Sequence, residues 1–277
     1  MDIGLLKAFI EVYRSRHFGH AARNLYITPS AVSARIKQLE DELGTRLFTR
    51  DRNNIELTGA GQKFLLYANN ILNTWNRAQQ DIAIPEGVET LLSVAALPSV
   101  WDMFLQNWLI WTHANHPEIA LQTDVMQSDN LTRYLLDGML DLGFVLDPPK
   151  TPQLLVKELM PVPLIMVSSK SGVQVQQAVE KDYILVDWGT SFAMLHARQF
   201  PDMPASRLRI SEGRIALALL QGCGGAAYLP ESMVAQQLES SLFRVEDAPV
   251  IHKDAYAVYS QSSTRLTTIE QLLRWYD

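Results

Sequence analysis

Residues 18–57, which read FGHAARNLYITPSAVSARIKQLEDELGTRLFTRDRNNIEL, decide the fold of the chain. Thr28 offers a hydroxyl as an N-cap, and Pro29 suits the first position of a helix, where no backbone N–H is needed. A helix is therefore predicted to begin at Pro29. Apolar side chains recur along it every three or four residues and are expected to face a core. They are Val32, Ile36, Leu39 and Leu43.

Shorter elements flank this helix on both sides. An earlier helix is expected to begin near Gly19, and residues 26–27 form the turn between the two helices. Gly44 is a natural C-terminal cap, and residues 47–48 and 55–57 can pair as strands around a turn at Asn53 and Asn54. Two helices, a tight turn and a small β wing predict a winged helix-turn-helix, in which the second helix lies in the major groove of DNA.

The outward face of the second helix is small and polar at its N-terminal end, as readout of base edges requires. Ser30, Ser33 and Lys37 are candidate groove contacts, Arg35 is placed for a phosphate, and the wing arginines can reach the backbone or minor groove. A solvated surface position is the alternative for each of them. The candidate DNA contacts are Thr28, Ser30, Ser33, Arg35, Lys37, Arg50 and Arg52.

The run AARNLYITPSAVSARIKQLEDELGTRLFTR resembles the winged helix-turn-helix of the LysR-type transcriptional regulators, most closely a subgroup that includes a repressor of the flagellar master operon. The resemblance implies a sequence-specific regulator of transcription that binds double-stranded DNA. Two positions depart from the family pattern. Pro29 stands where the family commonly has glutamine, and Ala34 where it often has arginine, so base contacts cannot be copied from relatives.

Charge is divided unevenly along the chain. Residues 1–80 hold 11 Lys and Arg against 7 Asp and Glu, whereas the remaining residues hold 13 against 23. The basic charge lies where phosphates would be met, and the acidic remainder would stay off the duplex. At 277 residues and 47% hydrophobic, the sequence is typical of a globular protein of about two domains.

A long helix is predicted from Thr58 to about Ala83, with apolar residues in a heptad pattern that favours a partner helix. In the LysR-type family this segment pairs two subunits, which implies a homodimer or a tetramer. The alternative is that the seam packs against the body of its own chain. The candidate dimerisation residues are Phe64, Ala68, Ile71, Trp75 and Ala78.

Beyond a hinge at residues 84–87, short apolar runs alternate with helical stretches, which predicts an α/β domain with a mostly parallel sheet. The runs LTRYLLDGMLDLGF and LQGCGGAAYLP resemble the LysR-type effector domain, which has two lobes like a periplasmic binding protein. The predicted domains are residues 1–58, a linker helix and hinge at 59–86, and an effector domain at 87–277. Its lobes are residues 87–161 with 262–277, and 162–261, with chain crossings near Met160–Pro163 and Ser260–Ser263.

An effector in this fold is expected between the lobes, where strand ends and helix starts converge. Ser99 and Ser211 are the first choices, from opposite lobes, and Trp188 is a further candidate for the cleft wall. Ordinary N-caps and core aromatics are the alternatives. Glu212 and Asp129 would oppose a simple anion, although the family often binds small carboxylates. The candidate effector contacts are Ser99, Val100, Trp101, Ser128, Ser211 and Glu212.

Other function classes find little support. The sequence has no nucleophile elbow, Walker loop, zinc-protease motif or dinucleotide fingerprint, so neither an enzyme nor a cofactor or metal is predicted. The alternative is a bifunctional winged-helix repressor with an enzymatic C-terminal domain. Cys223, in an apolar run, is expected to be a small buried residue. No signal peptide and no apolar run of membrane-spanning length are present, so a cytoplasmic location without membrane attachment is expected.

Overall fold

Two units make up the chain in the computed structural model, which describes residues 2–51, 54–82 and 87–277. The first unit comprises residues 1–84 with 137–139, and the second comprises the rest of the chain. Three predicted features lie outside the described residues: the wing turn at Asn53, the end of the linker helix at Ala83 and the hinge at residues 84–86.

The first unit begins with three helices. Their ends follow from local chemistry: the Asp2 carboxylate accepts from the Gly4 N–H at 2.8 Å, and the Thr28 hydroxyl accepts from the Ala31 N–H at 3.2 Å. Gly44 caps the third helix in the left-handed conformation (φ 65°) that favours glycine. The elements are α1 (Ile3–Ser15), α2 (Phe18–Asn24), α3 (Pro29–Leu43), β1 (Phe48–Asp51), β2 (Asn54–Leu57) and α4 (Gly59–Ile82).

The core of the first unit lies between α1, α2 and α3. Val32, Ile36 and Leu39 of α3 are fully buried, as predicted, and contribute to one apolar cluster with residues of α1. Leu43, also predicted to face the core, is 41% exposed because α3 ends there and the chain turns away through Gly44. Burial of these three side chains therefore determines which side of α3 faces solvent.

The second unit is an α/β structure. Its first strands and helices alternate, as the sequence predicted. The elements are β3 (Thr90–Ala96), α5 (Pro98–Val100), a π-helical turn (Trp101–Leu105), α6 (Gln106–Asn115), β4 (Ile119–Val125), α7 (Ser128–Leu136), β5 (Leu142–Val145), β6 (Leu154–Ser168), α8 (Val175–Glu180), β7 (Ile184–Val186), α9 (Thr190–Gln199), β8 (Leu208–Ile210), α10 (Gly213–Cys223), β9 (Ala226–Pro230), α11 (Glu231–Val234), β10 (Phe243–Arg244), β11 (Ile251–Ser260), α12 (Leu266–Leu273) and a 3-10 turn (Arg274–Tyr276).

The main sheet has the strand order β10-β6-β11-β5-β3-β4, with β9 also paired to β6, and β7 and β8 form a separate pair. β3 is parallel to both β4 and β5, and β7 is parallel to β8. β6 and β11, in contrast, are antiparallel to each other and to their other partners. The prediction of a mostly parallel sheet is therefore wrong, because two long antiparallel strands run through the middle of it.

These long strands connect two lobes. The first lobe contains β3, β4 and β5, and the second contains β7, β8, β9 and β10. β11 pairs with β5 through Tyr256–Tyr259, and a bulge interrupts its pairing with β6 between Ala255 and Tyr256. The second crossing thus falls near Ala255, opposite Met160, rather than at residues 260–263. Residues 256–261, which were predicted to lie in the second lobe, follow the crossing and belong with the first.

The C-terminal helix returns to the first lobe, as predicted. The Trp108 indole N–H donates to the carbonyl of Leu272 at 3.3 Å, and the Trp108 ring packs on Phe144 at 5.2 Å between centroids. Both aromatic side chains are fully buried. Residues from the C-terminal end of the chain therefore complete the core of the first lobe.

Candidate nucleic-acid interface and effector cleft

The N-terminal end of α3 presents short polar side chains to solvent. Ser30 and Thr28 are exposed, with their hydroxyl oxygens 3.0 Å apart. The Thr28 hydroxyl also caps the helix, so it holds α3 in place as well as lying on the exposed surface. Val32 and Ile36 are anchored in the core below, which keeps this polar end outward. A helix held in this way can enter a major groove with its first turn.

A concave surface continues along α3 toward the wing. Ser33 is half-buried there, whereas Ala34 and Lys37 are exposed. Arg46, which was not among the predicted DNA contacts, joins this surface from the loop after α3 and adds a second cation to it. The residues that line the surface are Ser33, Ala34, Lys37, Glu40, Asp41, Gly44, Thr45 and Arg46.

Glu40 has a structural role on this surface. Its carboxylate accepts from the backbone N–H groups of Leu47, at 2.8 Å, and Phe48, at 3.2 Å. Both apolar side chains are buried in the core of the first unit. One carboxylate on α3 therefore holds the start of the wing in place. The two N–H donors partly offset its negative charge.

The predicted arginines lie elsewhere. Arg35 is half-buried, and its Cζ lies 3.5 Å from the position that a Cβ on Gly4 would occupy, so this guanidinium packs beside the start of α1. Arg35, which was predicted to reach a phosphate from a flank of the helix, is not among the residues that line the concave surface. The side chain of Arg50 and the whole of Arg52 lie outside the described residues.

The apolar seam of α4 divides between two environments. Ala68 is fully buried, and Phe64 packs on Phe9 of α1 at 5.2 Å between ring centroids. Ile71 also packs against the core of the first unit. This half of the seam therefore follows the intramolecular alternative, because α1 and α4 cover each other. Trp75 and Ala78, farther along, are exposed. The large apolar side chains that α4 exposes are Leu66, Tyr67, Trp75 and Ile82.

Five of the six predicted effector contacts line one cavity of about 210 Å³ between the two lobes. The sixth, Trp101, does not, because its indole N–H is turned toward the Asp124 carbonyl at 3.2 Å. Trp188, the further candidate for the cleft wall, does line the cavity, and its indole N–H donates to the Tyr228 carbonyl at 2.9 Å. The lining residues are Leu97, Ser99, Val100, Gln127, Ser128, Leu146, Asp147, Asp187, Trp188, Gly189, Ser211 and Glu212.

Two of the polar contacts that join the lobes at this cleft lie near Glu212. The Ser99 hydroxyl donates to the Glu212 carboxylate at 3.1 Å. The Arg214 guanidinium donates to both oxygens of Asp102, with one of the two bonds at 2.7 Å. Burial raises the pKa of Glu212 above its usual value, against the hydrogen bond from Ser99, and the nearby charge of Asp102 acts in the same direction as burial. Side chains of the chain itself thus link the two lobes across the cleft.

A buried ion pair that was not predicted from the sequence lies beside the cleft. The Lys253 ammonium is almost completely buried and donates to Asp147 at 2.7 Å, Ser191 at 2.6 Å and the Trp188 carbonyl at 3.0 Å. Burial opposes ionisation of Asp147, but hydrogen bonds from Lys253 and Ser191 outweigh it and lower the pKa of that carboxyl. The available signal was a lysine at an inward position of a strand that alternates buried and exposed residues.

Cys223 is exposed, so the prediction that it is buried is wrong. It lies at the end of α10, where the chain turns through Gly224, and lines a second cavity, of about 510 Å³, in the second lobe. No group of His, Cys, Asp and Glu suited to a metal ion occurs among the described residues. In the same part of the chain, no helix is long and apolar enough to cross a membrane.

Comparison with known families accounts for nearly all of the chain. Residues 3–62 match the model described as bacterial regulatory helix-turn-helix protein, lysR family, and residues 85–277 match the LysR substrate binding domain. The chain therefore belongs to the LysR family. It is a DNA-binding transcriptional regulator with a substrate-binding effector domain, which favours the predicted function over the bifunctional alternative.

Individual relatives agree with this assignment. The HTH-type transcriptional regulator HdfR of Yersinia pestis (strain Pestoides F) is 38% identical, over 99% of this chain and 96% of the relative. The crystal structure of full-length CbnR complexed with its target DNA superposes with a TM-score of 0.71 at 21% identity, over 100% of both chains. Vibrio fischeri DarR in complex with DNA gives 0.60 at 18%, over 100% of this chain and 99% of that one. The two structures support the fold.

Proposed function

We propose that this regulator acts as a homodimer, or as a tetramer of two such dimers, that places its recognition helices α3 in successive major grooves of a near-palindromic site. A small-molecule effector bound in the cleft between the lobes changes the relative placement of those helices and so changes promoter output. Because its target is the chromosome of a bacterium, the compartment in which it acts is the cytoplasm.

The observation that carries this proposal is the orientation of α3. Val32 and Ile36 are fully buried in the domain core, while Ser30, Ala34 and Lys37 are exposed on the opposite side. Short side chains allow the helix axis to approach base edges, and an exposed lysine can neutralise a phosphate or donate to a guanine. At Pro29 and Ala34 this chain lacks the longer side chains that are common in the family. The residues that contact the bases are therefore Ser30, Ser33, Lys37 and Arg46.

Selection of DNA from a random pool, followed by footprinting at several salt concentrations, tests the proposal. We expect an interrupted palindrome protected over more than one helical turn, with affinity that falls steeply as salt rises. Ser33→Ala should relax the preference at one base position, whereas Ser171→Ala, at an exposed position of the effector domain outside the cleft, should leave the selected sequence unchanged. Failure to enrich any sequence at low salt would contradict the proposal.

Dimerisation is proposed to use the exposed part of α4. Trp75 is 45% exposed and Ile82 is 86% exposed, and large apolar side chains of this kind on one helix are typical of an interface. Trp75→Glu should dissociate the oligomer while the folded monomer persists, as measured by light scattering and circular dichroism. Ile71→Glu should instead destabilise the first unit, since Ile71 packs against its core. An unchanged mass with Trp75→Glu would contradict this interface.

A further inference from the structure

The electrostatic character of the effector cleft is unusual for a site that would take an anion. Three carboxylates line the cavity, those of Asp147, Asp187 and Glu212, and none of its lining residues within the described part of the chain is lysine or arginine. The cavity and the family's substrate-binding domain define the site itself. The charges around it decide which chemical class of ligand it accepts.

One of the carboxylates already binds an ammonium group. Lys253 brings its Nζ to Asp147, Ser191 and the Trp188 carbonyl, all within 3.0 Å. This ammonium is almost completely buried behind the residues that line the cavity, where it neutralises Asp147. This arrangement therefore shows how the cleft accommodates a cation: a carboxylate, a hydroxyl and a backbone carbonyl converge on one nitrogen.

Within the described residues, neither of the other two carboxylates accepts a hydrogen bond from a lysine or arginine, although the Lys253 ammonium also attracts Asp187 electrostatically. Glu212 accepts only the hydrogen bond from Ser99 among the bonds seen within the described residues, and its charged neighbour Asp102 has the same sign. Asp187 accepts from the Gly189 N–H at 3.0 Å and lies 3.7 Å from the exposed guanidinium of Arg209, a long and solvated contact. Both side chains therefore retain negative charge that faces the cavity.

We propose that the effector of this regulator is a small organic cation whose ammonium group pairs with Glu212 and Asp187 in the cleft. The inference rests on the proposed function, in which the cleft is the effector site. An anion placed there would lose its hydration against two carboxylates without gaining a cationic partner. The incoming ammonium displaces the Ser99 hydroxyl from Glu212 and so breaks a contact between the lobes, which gives ligand binding a direct structural consequence.

The volume of the cleft limits the ligand further. A cavity of 210 Å³ corresponds to about seven waters at ~30 Å³ each. That is below the ~300–1,000 Å³ of pockets that hold drug-sized ligands. A short amine or diamine fits this volume, whereas a polyamine with several long segments exceeds it.

Three probes with the same four-carbon chain and different charge separate the possibilities. Isothermal titration calorimetry of the full chain compares 1,4-diaminobutane, 1,4-butanediol and succinate. We expect saturable binding of the diamine alone. Glu212→Gln should weaken it by about 10- to 100-fold, the loss of one charge-assisted hydrogen bond. Glu246→Gln, a matched change at an exposed carboxylate outside the cleft, should leave the affinity unchanged.

The remaining outcomes distinguish the ligand class from the proposed function. Binding of succinate in preference to the diamine would overturn the cationic class and leave an effector-controlled regulator intact. Diamine binding that is equally strong in Glu212→Gln would place the cation elsewhere and overturn the assigned site. If a protein that still binds its selected DNA takes none of the three probes, the cationic class falls alone. The proposed function is tested separately, by the DNA selection, and only failure of that selection would contradict it.

Discussion

Glu40 holds the wing to the recognition helix, and its replacement by alanine tests this arrangement. In the wild-type chain one carboxylate oxygen accepts from the N–H groups of Leu47 and Phe48, at 2.8 and 3.2 Å. In Glu40→Ala both N–H groups lose their acceptor while the side chains of Leu47 and Phe48 remain in the core. The first residues of the wing should therefore open more often, although the fold of the second unit is unaffected.

The expected size follows from these two bonds. A buried donor left unsatisfied costs about 1–3 kcal/mol. Two such donors together would cost about 2–6 kcal/mol. The longer bond to Phe48 and the partial exposure of Glu40 place the total near the lower end of that range, at about 2–3 kcal/mol. Since about 1.4 kcal/mol corresponds to a tenfold change, amide protection at Leu47 and Phe48 should fall by about 30- to 150-fold.

Hydrogen exchange of the full chain, followed by mass spectrometry of peptides that cover residues 44–58, measures this change. Asp41→Ala is the matched control, because Asp41 is the next residue on the same helix and its exposed side chain makes no hydrogen bond within the described residues. Its effect should stay within about 0.5 kcal/mol. Protection at Leu47 and Phe48 that is equal in the two variants would refute the assigned role of Glu40. DNA affinity should fall with Glu40→Ala and follow the exchange result.

Three further predictions address the other sites. Lys37→Ala should weaken DNA binding about tenfold and reduce the slope of log affinity against log salt by about one, as measured by fluorescence anisotropy, whereas Lys150→Ala in the second unit should do neither. The folded pKa of Asp147 lies below its unfolded value of ~3.9, so the stability that this carboxylate contributes is present above about pH 4 and is lost as pH falls through the folded pKa. Thermal denaturation between pH 6 and pH 3 should show a smaller acid-dependent loss in Asp147→Asn than in the wild type, and equal losses would contradict the pairing with Lys253. Cys223 should react with one equivalent of a disulfide reagent in the native state because its side chain is exposed, and a need for denaturant would show that it is buried.

Much of the first unit was predictable because its signals are local. The cap at Thr28, the left-handed Gly44 and the inward residues Val32 and Ile36 each depend on neighbours within a few positions. Leu43 was misjudged because periodicity does not state where the opposing core ends. The α4 seam was misread in part for a related reason. A heptad pattern predicts an apolar face but not its partner, and α1 of the same chain covers Phe64 and Ala68.

The effector domain was predicted less completely. Ser99 and Ser211 were placed at the cleft because each follows a strand, which is a local feature, and both line the cavity. Trp101 was placed there by the same reasoning, but its ring turned toward β4. A helix start can be read from sequence, whereas the direction of a long side chain depends on the elements packed around it.

The sequence by itself determined the family, the order of the domains, the helix-turn-helix and the approximate place of the cleft, because caps, periodic apolar residues and family motifs are all short-range features. The tertiary structure alone decided the charge of that cleft. Asp147 and Lys253 are 106 positions apart, and Ser99 and Glu212 are 113 apart. Such pairs form only when β6 and β11 bring the lobes together, and no spacing along the chain encodes which carboxylates then keep a free charge.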